Sequence, residues 1–507
     1  MARSKIAENT ASLAVNGFFS LAFTVVQLGV LSRRLGGDTF GLFVSLRGFS
    51  LLLGTVMLVG LPQVLIRFLP SYQSRGRRGA AALLFLCSFA AVLIVGILLY
   101  AGSRFWIGLI PGQLRRLSAD PETMRWMIIA AIAVAAKMVL YGAFNGLREM
   151  KMQMILEFFY SLAFTAFIVA RRSTLDVTVL FQAIGTLNGL TFLAGAPLFF
   201  RLLFRLIPAS SRAESGGIAL PALMPYWFGS LVLGFVALAF TDVDRFVMSI
   251  ALPVSAISLF HVASRINFIL KRFLAIPILA AQPEITRVYE EGRADILTGK
   301  IRLFTKVTLV SSLFLIGLFT VIGRDLIRLL SGEEFLDAYV VLVLLMPTVP
   351  AAAVSAPLLA TMRSLNHMRW AVLCDCLWMV FYFGSFFFLV RLMGVKGMAV
   401  SQIAASIAQM LVAVRLAKEG GFYGGIGTRI GRMLAVLLVA APLGLLATRL
   451  GGLYASIPIA ALSPFAGRFL VRKLEIIEPS ERREILDMIP AGSMRRAAGW
   501  LMPSEEG

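Results

Sequence analysis

The stretch "GAAALLFLCSFAAVLIVGILLYA" (79–101) contains no charged side chain and is long enough to cross a bilayer as a helix. Apolar runs of about 20 residues recur along nearly the whole chain, separated by short breaks with turn residues and basic pairs. They lack the alternating pattern of a membrane barrel. Because a chain in lipid must satisfy its backbone hydrogen bonds internally, these runs predict an all-α integral membrane protein.

The composition supports the same class. Hydrophobic residues make up 59% of the chain, charged residues 15%, and the mean hydropathy is +0.85. In a soluble protein a net charge of +21 would suggest nucleic acid. Here basic cytoplasmic loops explain it, and we expect no nucleic-acid partner. The three cysteines lie inside apolar runs without metal-ligand spacing, which favours packed thiols and no metal site.

We predict about fourteen transmembrane helices in two six-helix lobes around a central cavity. The N-terminal lobe is expected at 1–205, a cytoplasmic linker at 206–223 and the C-terminal lobe at 224–417. Two appended helices fall in 418–471, and a cytoplasmic tail follows at 472–507. The predicted spans are 10–32, 39–69, 79–101, 124–144, 152–171, 176–200, 224–250, 255–282, 303–323, 338–361, 369–390, 394–414, 432–449 and 452–470.

A weak internal repeat suggests that the two lobes have the same orientation. "FVSLRGF" (43–49) resembles "HVASRINF" (261–268), and "PQVLIR" (62–67) resembles "PEITR" (283–287). The first match pairs Arg47 with Arg265. Six helices separate the matched segments, and an even number preserves orientation.

The distribution of Lys and Arg predicts the topology. Placing the N- and C-termini in the cytoplasm puts the larger share of these residues in cytoplasmic breaks, as the positive-inside rule requires. Short basic loops and few cysteines fit a prokaryotic cytoplasmic (inner) membrane.

Basic residues inside or at the edges of spans are the main candidates for function, because charge in hydrocarbon is costly and marks substrate or ion paths. A cationic cavity implies an anionic substrate, and guanidinium groups suit phosphate. Snorkelling to the membrane surface is an alternative for Lys306, for Arg67 and for either Lys271 or Arg272. The candidate substrate-binding residues are Arg47, Lys137, Arg265, Arg67, Lys271 and Arg272.

The acidic residues of "FTDVDRFVMSIAL" (240–252) raise a separate question. Asp242 and Arg245 are three apart and share a helix face, whereas Asp244 points away from Asp242. The Asp242–Arg245 pair is expected to gate the cavity, to couple transport to a cation or to form a structural ion pair. Asp375, which lies between two cysteines, is a further candidate for ion coupling.

Several classes of chemistry lack their usual sequence features. No predicted outer break exceeds about 25 residues, so a membrane glycosyltransferase or polymerase has little room for a catalytic domain. A Gly-rich phosphate loop of the ATPase type is absent from the sequence. We therefore expect no catalytic residue, no cofactor and no enzymatic activity.

The order and spacing of several segments resemble the polysaccharide transporter branch of the multidrug/oligosaccharidyl-lipid/polysaccharide (MOP) exporter superfamily. The segments are "LSRRLGGDTFGLF" (31–43), "GLPQVLIRFLP" (60–70), "DVDRFVMSIAL" (242–252) and "GEEFLDAYVVLVLLMP" (332–347). The resemblance implies a flippase that moves a polyprenyl-diphosphate-linked oligosaccharide, such as an O-antigen or exopolysaccharide repeat unit, to the outer leaflet by alternating access. It also implies H⁺ or Na⁺ coupling, and binding of the diphosphate or of acidic sugars by Arg47, Lys137 and Arg265.

Two other functions stay open from the sequence. One is a related exporter of drugs or small organic cations (MATE-like), although the excess of intramembrane cations argues against it. The other is a membrane scaffold that recruits enzymes and other proteins of polysaccharide assembly.

Overall fold

The computed structural model describes residues 2–103, 120–207, 243–290, 294–365 and 367–423, with isolated positions between 224 and 234. The chain divides into two compact units, Met1–His261 and Val262–Gly507. All regular elements of the described residues are helices. They are α1 (Ala2–Leu58), α2 (Leu61–Ser74), α3 (Arg78–Ala101), α4 (Pro121–Gly146), α5 (Met150–Ala170), α6 (Val177–Leu206), α7 (Val243–Met248), α8 (Val254–Glu290), α9 (Ala294–Ser331), a 3₁₀ turn (Glu333–Phe335), α10 (Ala338–Leu345), α11 (Thr348–Ser364), α12 (Met368–Met393) and α13 (Val395–Glu419).

The prediction of an all-α membrane protein is confirmed. Eight helices of the described residues are long and apolar enough to cross a membrane, and the bent pair α10–α11 would make nine. Large apolar side chains are exposed on these helices, for example Leu98 at 65% and Phe388 at 67%, as expected of surfaces that face lipid. The prediction of about fourteen spans stays open, because 432–449, 452–470 and about half of 224–250 lie outside the described residues. Residues 208–223 of the linker and the tail lie outside them as well.

The predicted span 39–69 is wrong as a single helix. α1 continues from the preceding span through a non-helical Gly36 and ends at Leu58, and α2 begins at Leu61. Gly60 has a left-handed backbone (φ 75), and Pro62 has no amide hydrogen for a bond back to the Leu58 carbonyl. The helix therefore breaks although the apolar run continues.

The predicted span 338–361 is also broken. α10 ends at Leu345, and α11 begins at Thr348 with an axis bent by 42°. Pro347 lies at the break and cannot donate the next helical hydrogen bond.

α4 lies at the centre of the first unit, where it packs against α1, α2, α3 and α6. Two glycines four residues apart let the backbone of α2 approach it. A Cβ atom on Gly142 would lie 2.8 Å from Pro62 Cα, and one on Gly146 would lie 2.7 Å from the Leu65 carbonyl oxygen. This close packing fixes the α4 face that carries the candidate site.

The second unit has a separate apolar core. α9, α11, α12 and α13 pack together, and Leu358, Met362, Cys374 and Ala413 are fully buried among them.

The snorkelling interpretation of Lys306 is wrong, because that residue is buried in α9 (5% exposed).

Candidate functional site

The helix start of α4 is fixed by its sequence. Asp120 is the N-cap: its carboxylate accepts the backbone N–H of Glu122 at 3.0 Å and of Thr123 at 3.3 Å, and Pro121 takes the first turn. These hydrogen bonds hold the pKa of Asp120 below its ordinary value, and the bond from the Glu122 backbone has the largest effect. The register of α4 then places Lys137 and Tyr141, four residues apart, on one helix face.

These two residues meet a carboxylate of the next helix. Lys137 Nζ lies 3.0 Å from Glu157 Oε2, and the Tyr141 hydroxyl donates to the same oxygen at 2.8 Å. The Lys137 ammonium also lies 4.0 Å from the ring centroid of Tyr160, which is three residues after Glu157 on α5. The side chain of Lys137 is 4% exposed and that of Glu157 is 35% exposed. The pair therefore has a fixed, buried cation and a more accessible anion.

A second cation borders this pair. Arg47 is half-buried on α1 and lies near enough to Lys137 and to Tyr160 to interact electrostatically with both. Within the described part of the chain Arg47 has no carboxylate partner. We call Arg47, Lys137, Tyr141, Glu157 and Tyr160 the lysine–arginine cluster.

This cluster has two cations and one carboxylate, so it favours an additional anion. Asn188 of α6 interacts with Tyr160, and its Oδ1 is a buried acceptor without a hydrogen bond in the described residues. A ligand with oxygen acceptors for the cations and a hydroxyl donor for Asn188 would satisfy both features.

Sequence reasoning identified Arg47 and Lys137 but missed Glu157 and the two tyrosines. The available signal was that Glu157 is the sole carboxylate of the predicted span 152–171 and is followed by three aromatic residues. An intramembrane carboxylate indicates a partner cation as much as an intramembrane lysine indicates an anion.

The structure describes the other predicted binding residues within their own units. In the first unit, Arg67 is exposed on α2. In the second unit, Arg265 is half-buried on α8 with its guanidinium 6.0 Å from the Phe268 ring centroid, Lys271 is half-buried and Arg272 is exposed. That Arg47 and Arg265 approach one cavity stays a prediction.

Of the predicted gating residues on the seventh span, Asp242 lies outside the described residues. Asp244 (3% exposed) and Arg245 (8% exposed) are buried on α7 and form an ion pair with each other. Arg245 Cζ also lies 5.4 Å from the Phe260 ring centroid. Sequence reasoning expected Asp242 as the partner of Arg245 from helical spacing, and that pair stays a prediction. Among the described residues the guanidinium pairs with its immediate neighbour.

Asp375 lies in the second unit and is bound on both carboxylate oxygens. Arg363 Nη2 donates to Oδ2 at 2.9 Å, and Gln409 Nε2 donates to Oδ1 at 3.0 Å. These bonds join α11, α12 and α13, so they give Asp375 a structural role and leave its predicted role in ion coupling as a prediction.

Comparison of the chain with family models finds no match, and comparison with curated proteins finds none either. Solved structures do match. The lipid II flippase MurJ in an inward closed conformation aligns over 91% of this chain and 98% of its own, with 12% identity and a TM-score of 0.64.

Multidrug transporters of the MATE family match as well. An outward-facing MATE transporter of the MOP superfamily aligns over 82% of this chain and 95% of its own, with 14% identity and a TM-score of 0.57. The Vibrio cholerae transporter VcmN in its bent form aligns over 83% and 97%, with 14% identity and a TM-score of 0.57. At such low identity the likeness establishes the fold alone, and this chain shares the fold of these transporter structures.

Proposed function

We propose that this protein is a flippase that moves a polyprenyl-diphosphate-linked oligosaccharide from the cytoplasmic to the outer leaflet of a prokaryotic cytoplasmic membrane. The observation that carries the proposal is Arg47, a half-buried guanidinium beside the buried Lys137 and without a carboxylate partner in the described residues. Charge held inside a membrane protein without a counter-ion is costly unless a ligand supplies one.

The chemistry of a diphosphate fits this arrangement. Its oxygens accept hydrogen bonds from the planar guanidinium of Arg47 and from the Lys137 ammonium at the same time. Sugar hydroxyl groups are donors for the free Asn188 oxygen. The prenyl chain stays in lipid, where exposed apolar helix faces accept it.

The fold supports a transporter that works by alternating access, since one of the matching structures is described as a lipid II flippase. In this proposal an H⁺ or Na⁺ gradient drives the cycle, and other polysaccharide-assembly proteins act before and after it. The MATE structures make export of small organic cations a second candidate function. A cluster with two cations and one carboxylate disfavours such substrates.

The test is translocation in proteoliposomes of a fluorescent polyprenyl-diphosphate oligosaccharide. We expect transport by the wild type, loss of at least tenfold in Arg47→Ala and in Arg265→Ala, and normal transport in the matched control Arg171→Ala, which changes an exposed loop residue. Expression and thermal stability are measured for each variant.

Three results discriminate the functions. Transport that is unaffected by both Arg47→Ala and Arg265→Ala would contradict substrate binding by these residues. Absence of lipid transport together with efflux of ethidium would favour the MATE-like function. Absence of both activities would favour the scaffold.

A further inference from the structure

We infer that Glu157 is an internal competitor for the anionic group of the substrate. In the structure its carboxylate accepts from Lys137. When a diphosphate binds, the diphosphate replaces Glu157 as the partner of Lys137, and Glu157 is released. This inference rests on the proposed function, because it assigns a role to a residue of the same lysine–arginine cluster.

The geometry makes Glu157 the displaceable member of the pair. Both of its described hydrogen bonds, from Lys137 and from Tyr141, end on a single oxygen, Oε2. Its side chain is one-third exposed, whereas Lys137 is buried and lies against the ring of Tyr160. Displacement therefore requires a rotation of Glu157 and no movement of the lysine.

The charges favour the exchange. Glu157 makes no described contact with Arg47, so the carboxylate balances only one of the two cations. A diphosphate has enough oxygens for both, and its charge-assisted hydrogen bonds to Lys137 and Arg47 replace the one that is lost. The ligand can therefore bind both cations, whereas Glu157 binds only Lys137.

Repulsion by the bound ligand completes the release of Glu157. The titratable and charged groups of the cluster are Lys137 and Tyr141 from α4, Tyr160 from α5 and Arg47 from α1, while α6 contributes the uncharged Asn188. Once a diphosphate lies against the two cations, the Glu157 carboxylate beside it faces negative charge and is repelled. The step breaks the Lys137–Glu157 bond and forms a bond from Lys137 to a phosphate oxygen.

The experiment measures binding of farnesyl diphosphate to the full-length protein in nanodiscs by calorimetry at pH 8.0. Inorganic diphosphate and farnesol are measured in parallel, so that a lipid headgroup, a free anion and an apolar chain are distinguished. We expect Glu157→Gln to bind farnesyl diphosphate about tenfold more tightly than the wild type, the value of one charge-assisted hydrogen bond.

Two further variants keep the test independent of folding defects. Tyr141→Phe removes the second donor to Glu157 and should tighten binding in the same direction by a smaller factor. Glu149→Gln is the matched control, because Glu149 precedes α5 and makes no capping hydrogen bond.

The outcomes separate this inference from the proposed function. Binding of farnesyl diphosphate to the wild type and to Glu157→Gln with equal affinity would overturn the competitor role alone. Absence of any diphosphate binding in the wild type would overturn the proposed function and this inference together. Equal binding of inorganic diphosphate and farnesyl diphosphate would identify a free anion as the competing ligand and overturn the assignment to a lipid headgroup.

Discussion

Lys137 Nζ lies 3.0 Å from Glu157 Oε2, and this ion pair joins the central helix α4 to the lipid-exposed helix α5. A buried pair contributes little net stability, because desolvation of the charges offsets their attraction, but removal of one partner leaves a charge without a counter-ion. Substitution of one partner should therefore lower the free energy of unfolding more than substitution of both.

We predict that Lys137→Met destabilises the protein by about 1–3 kcal/mol, because Glu157 loses its counter-ion in a partly buried site. The double variant Lys137→Met/Glu157→Gln should recover part of that loss, since the uncompensated charge is gone. Unfolding in detergent measures both, with the exposed Lys396→Met as the control. Strictly additive effects of the two substitutions would show that the ion pair does not couple the helices.

The close approach of α2 to α4 gives a second prediction. Gly142→Ala should destabilise the first unit by about 1–3 kcal/mol, because the added methyl group meets the Pro62 backbone and the helices must separate. Gly189→Ala on α6 is the control, since nothing lies within 4 Å of its added Cβ atom and alanine favours a helix. Thermal unfolding of the two variants checks this. Equal melting temperatures would mean that α2 and α4 accommodate the added methyl group without loss of stability.

A third prediction concerns the break between α10 and α11. Asn267 Nδ2 donates to the Leu345 carbonyl at 3.1 Å, and its Oδ1 lies 3.2 Å from the Thr348 hydroxyl. Asn267→Leu has a similarly branched side chain but satisfies neither group, so we expect a loss of about 1–3 kcal/mol and faster hydrogen exchange at 345–350.

The control for this prediction is Asn145→Leu, which changes a half-buried asparagine in the first unit. Unchanged exchange at 345–350 in Asn267→Leu would indicate that Pro347 alone determines the bend.

The sequence predicted helices best where an apolar run ends in charge. The predicted spans 79–101 and 369–390 agree with α3 and α12 within three residues, because charged residues stop the hydrophobic surface at the same place as the helix. Breaks inside apolar runs were missed. Hydropathy does not change across Gly60–Pro62 or across Pro347, and only the backbone chemistry of these residues marks the break.

For the candidate site, the sequence identified the cations but not their arrangement. Lys137 is conspicuous because an isolated intramembrane charge is rare. Its partner lies on another helix, and spacing along one helix contains no information about which face of α5 turns toward α4. Helical spacing also gave no sign that the Arg245 guanidinium pairs with its immediate neighbour Asp244.

The N-cap of α4 gives a prediction about pH. The depressed pKa of Asp120 means that the carboxylate is better stabilised in the folded than in the unfolded chain. Its contribution to stability is complete above the unfolded value of about 3.9 and is lost as the pH falls through the lower folded value. The wild type should therefore lose stability below about pH 4 through this group.

The matched variant is Asp120→Asn, because asparagine also caps a helix but does not titrate. The difference in melting temperature between the wild type and Asp120→Asn should favour the wild type at pH 6 and shrink steadily toward pH 3. Subtracting one protein from the other removes the acid titration of every other carboxylate, which the two share. A difference that stays constant over this range would mean that the Asp120 charge adds nothing to its hydrogen bonds with Glu122 and Thr123.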